Sequence, residues 1–110
     1  STLFPYTTLF RSALAARTDI LDRAMIDLLS FYRDVLTTQM GSDVERVNLD
    51  LSDAVDQAAR TTTPEQSLAR IAAIEECRSR LRSNAAPLLA VEALMVQLRP
   101  QAESTLKQSL

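Results

Sequence analysis

A single glycine, Gly41, in a chain of 110 residues does most to limit the fold. Hairpins, bulges and tight β-turns call repeatedly for glycine, so a turn-rich β architecture is disfavoured from the outset. Long helices need glycine only at their ends. Gly41 stands where such an end is expected, just after a run in which Leu21, Met25, Leu28, Leu29, Tyr32, Leu36 and Met40 recur at three- and four-residue steps.

Residues 2–12 stand apart from the rest. Thr2-Leu3-Phe4-Pro5-Tyr6-Thr7-Thr8-Leu9-Phe10-Arg11-Ser12 resembles, residue for residue, one reading frame of a widely used short-read sequencing adapter. The segment has one charge, a mid-run proline and neither helical nor strand periodicity. It is read as non-native, with the evolved chain starting near Ala13, inside a gene; the alternative is a natural apolar N-terminal arm. The division expected is an adapter-derived segment at 1–12, a helical domain at 13–98 and a polar tail at 99–110. Setting the segment aside leaves Phe31 and Tyr32 as the only aromatics. A core of Leu, Ile, Val, Met and Ala suits helices better than sheets.

The expectation is an all-α fold, a small bundle of four main helices. The first spans about 19–39, capped by Thr18 or Asp19. A connection at 42–49 should tuck Val44 and Val47 beneath it. The second helix spans about 51–60, with Asp50 as N-cap and Leu51, Ala54, Val55 and Ala58 inward. Thr63-Pro64-Glu65-Gln66 is the clearest helix start, a Thr-x-x-Gln capping box with proline at the first helical position. That third helix should run to about Ser83 and bury Leu68, Ile71, Ile74 and Leu81. Pro87 opens a fourth, ending near Leu98, whose text is apolar nearly all round and is therefore expected to be buried on several sides.

Chemistry is scarce. Histidine is absent, which removes imidazole catalysis, and no phosphate-binding loop is present. Cys77 has no second cysteine for a disulfide or metal pair and reads as a small core residue. Glu75-Glu76 and the Asp19/Asp22 step read as solvated charges. No catalytic, cofactor-binding or metal site is expected, no membrane span, and a cytoplasmic setting. Residues 13–59 balance at −5 and residues 60–110 at +2, which does not suit binding nucleic acid through a general field. Arg78, Arg80 and Arg82 read as a solvated face.

Several polar residues fall on apolar stripes. Glu92 lies between Leu88 and Met95, Arg78 between Ile74 and Leu81, and Arg33 between Leu29 and Leu36. A carboxylate there is costly without a cation, so a buried ion pair of Glu92 with Arg33 or Arg78 is expected, unless these charges face another subunit. Asn48 and Asn84 read as turn-closing residues.

The order Leu29-Ser30-Phe31-Tyr32-Arg33-Asp34-Val35-Leu36, Val47-Asn48-Leu49-Asp50, and Ile71-x-x-Ile74-x-x-Cys77-Arg78-x-x-Leu81-x-x-Asn84-x-x-Pro87-Leu88-Leu89-x-x-Glu92-x-Leu94 resembles the C-terminal domain of the delta-prime subunit of the bacterial DNA polymerase III clamp loader. The Arg-rich, Lys-poor text is closest to the actinobacterial branch. The likeness covers about residues 19–98. It implies a non-catalytic collar domain that joins the C-terminal domains of other clamp-loader subunits. The collar holds AAA+ modules while the sliding clamp is opened on primed DNA, with at most weak DNA contact by the domain itself. Arg33, Asp34, Asn48, Arg78, Asn84 and Glu92 occupy that family's recurrent polar positions and are implied to be structural or interface residues. The related gamma/tau subunit has a similar collar domain. An unrelated helical adaptor or small nucleic-acid-binding bundle is the alternative. An orphaned collar domain should expose a large apolar patch, whereas a nucleic-acid binder should gather its arginines on one surface.

Overall fold

Ala- and Leu-rich text with no interior glycine gives one long helix, α1, Phe4–Gln39, in the computed structural model, which describes residues 4–83 and 86–99. At about 1.5 Å per residue it is about 54 Å long, most of the molecule's 62 Å long axis. The helix starts well before Asp19, which is an exposed mid-helix residue and not a cap. Extension costs little once a helix exists, because each added residue brings its own hydrogen bond. Pro5 is tolerated because the first turn has no use for its missing N–H. The segment expected to lack regular structure is therefore helical from Phe4, yet Thr8, Leu9, Arg11 and Ser12 are exposed and none belongs to the core.

Gly41 ends α1 as expected, with φ +67°. Ser42 N–H donates to the Thr37 carbonyl at 3.0 Å and Gly41 N–H to Thr38 at 3.1 Å, the two bonds of a Schellman motif. The connection does not tuck its valines away. Val44 and Val47 are exposed, as is Met40. A 3₁₀ turn at Leu49–Leu51 precedes α2, Ser52–Thr61, so Asp50 lies inside the turn and makes no capping bond. Val55 is the buried residue of α2; Leu51 and Ala54 face out and Ala58 is half-buried.

Helix α3, Pro64–Arg82, begins as its sequence specifies. Thr63 Oγ1 accepts from Gln66 N–H at 3.1 Å, and Gln66 Oε1 accepts from Thr63 N–H at 2.9 Å. Its inward stripe runs Ser67, Ala73, Ile74, Cys77, Leu81, while Leu68 is exposed. The stripe repeats every seven residues through Ser67, Ile74 and Leu81, and Leu68 stands one position, about 100°, out of phase. Helix α4, Pro87–Gln97, packs on α3. The core joins Met25 and Leu29 of α1, Ala73, Ile74, Cys77 and Leu81 of α3, and Ala90 and Leu94 of α4. Among the described residues there is no strand, and no helix is long and apolar enough to cross a membrane.

Candidate interaction surface

Asp34 is buried on α1 near the end of its run. Its Oδ1 accepts from Val47 N–H at 3.1 Å; Oδ2 accepts from Asn48 N–H and Asn48 Nδ2, both at 2.8 Å. Asn48 Nδ2 also reaches Ser30 Oγ at 3.2 Å. Burial alone would push the Asp34 carboxyl upward. The Asn48 and Val47 donors, with the charge of Arg46, outweigh it and hold the group below the ordinary carboxylate value. Asn48 thus does more than close a turn on its own backbone, although its carbonyl does accept from Leu51 N–H at 3.1 Å. The pair clamps an exposed apolar loop onto α1.

A second polar knot ties three helices. Gln39 Nε2 donates to the Thr62 carbonyl at 2.8 Å and to Thr62 Oγ1 at 3.0 Å, and Gln39 Oε1 accepts from the fully buried Ser67 hydroxyl at 2.7 Å. Arg46 donates to Ser52 Oγ at 2.9 Å and pairs with Asp56, whose carboxyl it holds below its usual range. None of these contacts follows from the local sequence pattern. Gln39 gave a faint signal, since it extends the stripe of Tyr32 and Leu36 by one turn.

Helix α4 is covered on one side only. Ala90 and Leu94 face α3, with Val91 and Leu98 packed alongside. On the opposite side Leu88 and Leu89 are each 66% exposed, Met95 49% and Val96 56%. Glu92 sits among them, also exposed, with no hydrogen bond or ion pair to any described residue. The expected buried pair with Arg33 or Arg78 does not form. Arg78 Nε instead donates to Asp22 at 2.9 Å, joining α3 to α1, so Asp22 is a paired residue and not a solvated one. Arg33 approaches Glu75 at 3.8 Å on the surface. Both cations lie on the α1–α3 side, and α4 turns Glu92 away from it because one packed face suffices to hold an eleven-residue helix.

Other arginines are similarly engaged. Arg80 pairs with Glu76 at 3.2 Å, and Arg70 lies 5.5 Å from the centre of the Tyr32 ring. Burial pushes the Cys77 thiol upward, only partly offset by Arg80, and Cys77 lies in the core as expected. Among the described residues no group of acidic, Cys or His side chains is arranged to hold a metal. A cavity of about 10 Å³ between α3 and α4 admits no more than water.

Residues 11–99 match the family described as DNA polymerase III, delta subunit, C terminal. The chain belongs to this family. It is thus a clamp-loader domain of the DNA replication machinery, and the all-α bundle is the form that the domain takes here. No curated protein matches the chain, and no solved structure does.

Within this clamp-loader domain the six polar candidates divide. Asp34 and Asn48 are brought together as one internal node. Arg78 joins α3 to α1, and Arg33 makes a surface pair. Glu92 alone points outward from an apolar face. Asn84 lies outside the described residues.

Proposed function

We propose that the chain is the non-catalytic collar domain of a clamp-loader subunit, which holds the AAA+ modules of the loader in place by joining the C-terminal domains of its neighbours. The observation that carries this reading is the outer side of α4, where Leu88, Leu89, Met95 and Val96 form an apolar face left uncovered by the described helices. Isolated apolar residues on a surface need no explanation, but a contiguous face on one helix marks an interaction site. Family membership supplies the class of partner, the other loader subunits. The engaged arginines count against the nucleic-acid alternative. Arg33, Arg46, Arg70, Arg78 and Arg80 each meet a carboxylate or ring of the same chain.

Within the loader, the delta-prime assignment rests on the order of the Arg33-Asp34, Asn48, Cys77-Arg78 and Glu92 motifs, and the actinobacterial flavour on the Arg-rich text. A cytoplasmic setting follows from the same reading. The adapter reading of residues 2–12 has modest support in a family match that begins only at residue 11. The test is to mix the chain with the cognate gamma/tau and delta subunits and size the mixture. Co-elution with an interface of roughly 1,200–2,000 Å² is expected, with no ATPase activity from the chain alone. Elution of unmixed monomers at micromolar concentration, together with tight DNA binding, would favour the nucleic-acid-binding bundle.

A further inference from the structure

Resting on the collar reading, we propose that the outer face of α4 receives a helix from a neighbouring loader subunit, and that this helix presents a single arginine or lysine to Glu92 within an otherwise apolar stripe.

The spacing on α4 defines the shape of the occupant. Leu88, Glu92 and Met95 follow steps of four and three; Leu89, Glu92 and Val96 follow steps of three and four. Each set spans one heptad, so the face is a seam of the kind that packs against another helix, with Glu92 at its middle. The four apolar residues around it are half to two-thirds exposed, so a helix laid along the seam would take them and Glu92 out of water together.

Charge selects the partner. A desolvated carboxylate is unfavourable unless a cation meets it. Arg78 is paired with Asp22, and Arg33 lies 3.8 Å from Glu75. Arg99 lies seven residues beyond Glu92 and forms no ion pair with it. Among the described residues no cation meets Glu92, so a partner's cation would complete the seam. A second copy of this chain serves poorly, because a two-fold contact centred on the seam sets Glu92 against its own copy. Phosphate is repelled by the same carboxylate. A hetero-partner helix with one cation satisfies both the apolar residues and the charge, and arginine suits it best because its fork matches a carboxylate.

The test measures binding of the full chain to each cognate full-length loader subunit, using wild type, Glu92→Gln, Glu92→Arg and Leu89→Asp. All four should keep the same thermal midpoint and circular dichroism, since the altered side chains project into water. Glu92→Gln should weaken binding roughly 10-fold and Glu92→Arg by about 100-fold or more, as expected when a buried charge loses its partner or meets a like charge. Leu89→Asp should abolish it. Restoration of Glu92→Arg binding by an Arg→Glu or Lys→Glu change in the partner helix would establish the pair. Wild type that binds no loader subunit sinks the collar reading and this proposal with it. Equal binding by all four proteins leaves the collar reading standing and removes α4 as its contact. Loss with Leu89→Asp alone keeps the helix and rejects the cation. Self-association broken by Leu89→Asp makes the occupant a second copy and overturns the proposal.

Discussion

The two ends of the bundle are held by different forces. Where α1, α2 and α3 meet, Asp34 fastens the 42–49 connection through Val47 and Asn48, and Gln39 links Thr62 to the buried Ser67. At α4 no such bond is found among the described residues, and attachment comes from Ala90 and Leu94 seated on α3. The polar end has directional partners and one permitted geometry. The apolar end is held by contact area, and Leu88, Leu89, Met95 and Val96 remain in water. One region is closed by its own polar contacts; the other leaves an apolar face in water, which the proposed collar contact would cover.

The largest effect should come from the end with the least redundancy. Leu94→Ala empties a core site that is 2% exposed, with a cost of about 3–5 kcal/mol. Because α4 packs chiefly on α3, this should release it, visible as a loss of helical signal ahead of the main transition. A single cooperative transition with α4 intact would show that the two ends are not separable.

Asp34→Asn removes the charge that organises the other end and sets an amide N–H₂ against the loop donors. A loss of about 2–3 kcal/mol is expected by chemical denaturation. The same site gives a pH signature. With the folded-state value below the unfolded one, at about 3.9, the stabilisation is complete above that value and is lost as pH falls through the folded-state value. Wild type should therefore lose stability on acidification more steeply than Asp34→Asn. Parallel acid profiles for the two proteins would mean that Asp34 carries no net stabilisation.

Gln39→Ala strands the Ser67 hydroxyl, which is fully buried, at about 1–2 kcal/mol. A second change, Ser67→Ala, should recover part of that loss, since removing both partners leaves no orphan. The smallest effect belongs to residues 1–12. Their described side chains are exposed and outside the core, so deletion should change the thermal midpoint by no more than a degree or two in either direction. A fall of several degrees would make the segment part of the fold.

Much of the fold was legible because local chemistry specified it. The Thr63–Gln66 box and Gly41 at the end of α1 depend on neighbours a few residues away. The expected core failed where phase or coverage mattered. Leu68 is apolar but stands one position off the stripe that Ser67 begins, and hydrophobicity alone misranks the two. Val44 and Val47 looked fit for burial, yet the loop is aimed by Asp34, and a carboxylate thirteen residues from Val47 leaves no periodic mark.

The sequence by itself determined that this protein is helical, where α1 stops and where α3 starts, since propensity and capping act locally. Only the tertiary structure decided what Glu92 faces. Its position on an apolar stripe is encoded, but whether that stripe turns inward depends on how many neighbours α4 has. Among the described residues α4 packs chiefly on α3, Arg78 pairs with Asp22, and Glu92 is at the surface. A helix buries as many faces as it has neighbours to cover, and that number is a property of the assembled fold.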